Sequence, residues 1–184
     1  MAKILLLGDS IIAHMPNNLI GNENDEIINA GTENIGIGNC HNYVWPIVSK
    51  QEIDIIVLLI GINNILRPDC DYDNMESLKD TVKKMINFIN ELNTPYVHLI
   101  VQSVYPTRNE EVNKKIQIFN DKIFEHCYQL EIEYLDIYEL LTDKDGLLKE
   151  TYTNDGIHLN EFGYNLIANQ INEEFLMLND DYLK

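Results

Sequence analysis

Four short stretches of the 184-residue chain hold residue types that could do chemistry together: Gly8–Ser10 (GDS), Asn34–Asn39 (NIGIGN), Gly61–Asn64 (GINN) and Asn154–Asn160 (NDGIHLN). A serine hydroxyl is a weak nucleophile until a base takes its proton. Ser10 would be that nucleophile, and His158 can be the base, because an unperturbed imidazole titrates near neutrality. Asp155, three residues before His158, can hold the second ring nitrogen, fix the tautomer and stabilise the imidazolium. An oxyanion forming on the attacked carbonyl needs N–H donors. The backbone N–H groups of Ser10 and Gly38 and the side-chain amide of Asn63 are the candidates. Their neighbours Asp9 and Asn64 are candidates for contact with a substrate.

Each stretch taken singly also has a structural reading. GDS can be a strand end with Asp9 or Ser10 capping a helix. Gly36 and Gly38 mark turns. GINN is a turn and helix-cap sequence, and Asp155 can cap a turn that leaves His158 exposed. Among the other histidines, His14 and His41 lie near the proposed site and could meet a substrate. His98 alternates within a strand and His126 sits within a helix. No HxH or HExxH spacing points to a metal. Ser49, Ser77 and Ser103 lack neighbours comparable to those of Ser10.

The four stretches need elements to position them. Apolar, β-branched runs predict strands at Lys3–Leu7, Glu26–Ala30, Asp54–Ile60, Tyr96–Val101 and Glu133–Ile137. The third (DIIVLLI) is continuous enough to lie mid-sheet, covered on both faces. Apolar residues three and four apart predict helices over about His41–Lys50, Asn74–Leu92, Glu110–Leu130 and Asn160–Leu178. Arg67–Asp73 reads as a loop. Alternating strands and helices argue for a parallel α/β sheet. Right-handed crossovers then put all strand C-termini along one edge, where open α/β sheets bind ligands. The first three stretches follow the first three strands, so that edge would gather them.

Composition bounds the function. The length fits one domain, residues 1–184, and 45% apolar residues supply a core. A net charge of −17 repels nucleic acid and anionic membrane surfaces, so neither is an expected partner. A neutral ligand suits it better than a polyanionic one. Cys40, Cys70 and Cys127 are odd in number and form no CxxC, which favours a reduced cytoplasm over a disulfide framework. The first apolar run ends at Gly8, too short for a signal-peptide core, and no run approaches the roughly 18 apolar residues of a membrane span.

Together, in this order, the stretches resemble the SGNH/GDSL hydrolase family. GDS matches its first block, with the serine at Ser10. GIGN (Gly36–Asn39) resembles the second and GINN the third, with its asparagine at Asn63. DGIH (Asp155–His158) matches the last, and LNEFGY (Leu159–Tyr164) is similar to its usual continuation. Asn120 stands where members often carry an Asn. The family's second-block oxyanion donor falls on Gly38 or on Asn39, and its third block more often ends in Asp where this chain has Asn64. The chain lacks the GxSxG of the separate α/β-hydrolase class. The resemblance implies a three-layer α/β/α, flavodoxin-like domain with about five parallel strands. It implies a serine esterase working through a Ser10–His158–Asp155 triad and an acyl-enzyme, with an oxyanion hole of Ser10, Gly38 (or Asn39) and Asn63 and without metal or organic cofactor. A chain without an obvious lid insertion suits a short acyl group, such as an O-acetylated sugar. A lysophospholipase or thioesterase is the alternative. A non-catalytic binding protein on the same fold, an FMN-binding flavodoxin or a receiver domain are readings of other classes. The receiver is disfavoured by Gly61 and Ile62, which stand where its phosphoacceptor Asp would be.

Overall fold

The computed structural model of the chain describes residues 1–68 and 77–182, the last four of these by backbone alone. Its strands are β1 (Lys3–Gly8), β2 (Glu26–Gly31), β3 (Ile55–Leu59), β4 (His98–Gln102) and β5 (Glu133–Leu135). They form one parallel sheet in the order β2-β1-β3-β4-β5. The flavodoxin-like order and the parallel sheet match the expectation. Ile4 to Leu7 are at most 1% exposed, as a central strand covered on both faces requires.

The helices are α1 (Ser10–Ala13), α2 (Ile37–Val48), α3 (Ile62–Leu66), α4 (Leu78–Leu92), α5 (Glu110–Gln129), α6 (Tyr138–Leu141) and α7 (Glu161–Tyr182). From β1 to β2 the chain moves one way along the sheet, and from β2 onward it moves the other way. Right-handed crossovers therefore put α1 on one face and α2, α4 and α5 on the other. Contacts of α2 with α4, and of α4 with α5, agree. The C-terminal helix α7 joins the α1 side. There Tyr164 donates its hydroxyl to Ile11 O (3.0 Å), and the Asn172 side chain bridges Gly21 N and Leu19 O.

Several expected boundaries moved, among them two helix starts. The first helix of the second face begins at Ile37, not near His41. Two glycines, poor helix formers, conceal its first turn in the sequence: Gly36 is the N-cap and Gly38 lies inside. Gly38 and Asn39 are thus on a helix N-terminus instead of in a loop. The fourth helix, expected from Asn74, is described from Leu78, where Ser77 and Asp80 form a reciprocal capping box. Asn74–Glu76, Cys70 and the Asp69–Asp73 part of the expected loop lie outside the described residues.

The order reverses between β1 and β3, and this switch point opens a crevice beyond the strand ends. Gly8 pairs in register with both Gly31 and Leu59, so β1, β2 and β3 end level and their loops emerge side by side. That close packing needs a glycine, since a Cβ on Gly8 would sit 1.9 Å from Leu59 O.

Candidate active site

The turn after β1 is built by Asp9, which caps α1 with its side chain. Asp9 Oδ1 accepts the Ile11 N–H at 3.1 Å. The turn lifts Ser10 to the start of the helix, 6% exposed, with its hydroxyl at the crevice. Ser10 Oγ lies 3.0 Å from His158 Nε2. On the other side of the ring, His158 Nδ1 lies 2.7 Å from Asp155 Oδ2.

Asp155 is tightly held. Its Oδ1 accepts the backbone N–H groups of Ile157 (2.9 Å) and His158 (2.8 Å). Burial pushes its carboxyl up. The His158 ring and these two N–H groups outweigh that and bring it down to about 2. An ionised carboxylate can only accept, so Nδ1 carries the ring proton and Nε2 is left to accept the Ser10 proton. The loop itself is fastened by Thr153. Its hydroxyl donates to His158 O (2.6 Å) and accepts from Gly156 N (2.9 Å), and a Thr153–Leu159 bridge closes the loop. Thr153 was absent from the residues singled out in the sequence. Its position two residues before Asp155 is the spacing of a Ser/Thr turn, a signal available there.

The other two stretches come to the same crevice. Gly61, at φ +135°, turns the chain out of β3 into α3 in a conformation that side chains disfavour. Asn63 follows, 8% exposed, with Nδ2 on Ile35 O (2.9 Å). An amide nitrogen has two hydrogens, so this bond leaves the second for another acceptor. The N–H groups of the first turn of α2, those of Gly38 and Asn39 among them, point out of the helix N-terminus at the same edge.

Asp9 and Asn64, expected at the substrate, are placed beneath the crevice, 1% and 2% exposed. Asn64 Oδ1 accepts the Ile37 N–H (3.0 Å), joining the β3 and β2 loops. That contact uses only the oxygen, which an aspartate would also offer. Burial raises the Asp9 carboxyl to about 7 against the pull of the Ile11 N–H, His158 and the Gly61 N–H, and its Oδ2 makes no hydrogen bond of normal geometry. At the rim, His14 pairs with Glu33 (2.6 Å), and its ring centroid is 5.8 Å from that of His158. His41 is instead turned to Glu91 and Phe88. Asn120 is structural in geometry, spanning both backbone groups of Val104, and Ser103 is buried with its Oγ accepting from Ile137 N.

The fold and the sequence are similar to those of known proteins. A structure from Streptococcus pneumoniae, provisionally described as a platelet activating factor, superposes with a TM-score of 0.79 at 25% identity, covering 98% of this chain and 83% of that one. An acetyl xylan esterase, AlAXEase, superposes at 0.75 with 17% identity over 92% and 97%. The M. smegmatis aryl esterase does so at 0.77 with 15% identity over 97% and 100%. No curated protein matches the sequence. The pattern of the GDSL-like lipase/acylhydrolase family matches residues 6–166, from the middle of β1 into α7. That span takes in all four stretches at the crevice, and the chain belongs to the GDSL-like lipase/acylhydrolase family.

Proposed function

We propose that the chain is a serine carboxyl-ester hydrolase, one domain over residues 1–184, acting through Ser10, His158 and Asp155. The observation that carries this reading is the unbroken line from Asp155 Oδ2 to His158 Nδ1 (2.7 Å) and from His158 Nε2 to Ser10 Oγ (3.0 Å). Ser10 Oγ attacks the acyl carbon as its proton passes to His158 Nε2. The oxyanion is held by the Ser10 N–H, the N–H of Gly38 or Asn39, and the second hydrogen of Asn63 Nδ2. The proton on His158 goes to the departing alkoxide, leaving an acyl-enzyme. Water, deprotonated by the same nitrogen, then releases the acid and restores Ser10.

The favoured substrate is a short-chain ester on a neutral alcohol, such as an O-acetylated sugar. The net charge of −17 and the half-exposed carboxylates of Glu33 and Asp155 at the rim disfavour anionic leaving groups. The esterases among the structural neighbours agree with an ester bond. Cys40 and Cys127 are buried, and with no CxxC in the chain they suit a reducing cytoplasm, and among the described residues no helix is long and apolar enough to cross a membrane.

The test is hydrolysis of p-nitrophenyl acetate, butyrate and octanoate by the wild type and by Ser10→Ala. The expected result is the highest kcat/KM on acetate and only background turnover in the variant. A strong preference for octanoate would move the reading to a lysophospholipase or thioesterase. Full turnover by Ser10→Ala would overturn the serine mechanism.

A further inference from the structure

An asparagine amide can help an oxyanion only in one of its two orientations. Nδ2 toward the oxyanion stabilises it, whereas Oδ1 in the same place repels it. Something must fix the flip of Asn63 before substrate arrives. On one side Ile35 O, which can only accept, holds Nδ2 at 2.9 Å. On the other side stands Arg67, whose guanidinium has only donors. Arg67 Nη2 donates to Asn63 Oδ1 at 3.1 Å and to Asn34 O at 3.2 Å. The backbone helps, since Arg67 N donates to Asn63 O (2.8 Å), closing the last turn of α3 and bringing the side chain back over residue 63.

We propose that Arg67 is a positioning residue for the oxyanion hole, acting through Asn63. It fixes the amide with Nδ2 toward the reacting carbonyl. It draws electron density toward Oδ1, so that Nδ2–H becomes a stronger donor as charge builds. By holding Asn34 O as well, it ties the loop after β2, which leads into Gly38 and Asn39, to the loop after β3. That loop is also held by Asn64 Oδ1 on the Ile37 N–H (3.0 Å), so the effect of Arg67 on turnover runs through Asn63. The effect belongs to the transition state, so it reaches kcat and leaves KM nearly untouched.

This inference rests on the serine-esterase reading, and Ser10→Ala is therefore measured alongside. Arg67→Ala, Arg67→Lys, Asn63→Ala and the Asn63→Ala/Arg67→Ala pair are assayed on p-nitrophenyl acetate, with melting temperatures for each. We expect kcat to fall about tenfold in Arg67→Ala with KM changed less than about twofold, and Arg67→Lys to restore part of the loss. In the Asn63→Ala background the Arg67 substitution should cost nothing further in kcat. Two results would overturn the proposal with the esterase reading intact: unchanged kcat in Arg67→Ala while Ser10→Ala is dead, or a full, additive loss in the double variant. Should Arg67→Ala melt too low to assay, Arg67→Lys decides. A kcat loss that vanishes without the Asn63 amide supports the role, and one that persists overturns it. Turnover surviving in Ser10→Ala would instead fell the reading beneath it.

Discussion

The two edges of the same sheet differ in what their polar groups do. At the edge where the strands begin lies a cavity of about 740 Å³, lined by Met1, Ile4, Tyr96, His98, Phe175 and their neighbours. At the edge where the strands end lies the crevice of Ser10 and His158. Polar groups at the first edge act singly, and the buried His98 Nε2 there makes no hydrogen bond. Asp25 accepts the Ala2 N–H and Asp54 accepts the Lys3 N–H, both at 2.7 Å, which pins the first strand. At the second edge they converge on one point from four separate segments. The lesson is topological. Parallel strands deliver the loops that follow them to one edge only, and the reversal of strand order beside β1 opens a space there. The cavity at the other edge has no such convergence.

Substitutions can break or sharpen that contrast. Ser10→Ala and His158→Ala should each lower kcat by about 10⁶, read on p-nitrophenyl acetate, because the two act as a unit. Asp155→Asn should cost about 10⁴, since it removes the charge that sets the His158 tautomer while leaving nucleophile and base in place. Asn63→Ala should cost about 10²–10³ in kcat, the loss of one oxyanion donor. At the opposite edge Tyr96→Ala, at a residue 89% exposed on the cavity wall, should leave kcat/KM within about twofold of wild type. A large loss there would mean that this cavity serves the reaction and would dissolve the contrast.

Asp9 carries a subtler prediction about stability. Its folded carboxyl titrates at about 7, above the ordinary value of 3.8. Between those values the folded state holds the proton and the unfolded state does not, so stability falls as pH rises from about 4 to 7. Asp9→Asn cannot titrate. The melting temperature of wild type minus that of the variant should therefore decline across this window. A flat difference would mean that Asp9 is ionised in the folded protein throughout.

Much of this was legible in the sequence for identifiable reasons. The strand cores and the face-forming helices announce themselves by periodicity, and Ser10, Asn63, Asp155 and His158 by their types and order. Three things were not legible. The first turn of α2 was hidden by Gly36 and Gly38, whose weak helix propensity was overridden by packing against the β3 loop through Asn64 and Ile37. The burial of Asp9 and Asn64 depends on which way a turn faces, and local residue types do not encode that direction. The contact of Arg67 with Asn34 joins segments that only the sheet order brings together.

The central claim is that Ser10 is the nucleophile, and the most direct measurement is covalent labelling. The protein is incubated with a fluorophosphonate, and the adduct is counted by intact mass and mapped by peptide digestion. The account predicts one adduct per chain, on Ser10, with loss of esterase activity in step with labelling and no adduct on Ser10→Ala. An adduct on Ser49, Ser77 or Ser103, or esterase activity that survives complete labelling of Ser10, would contradict it.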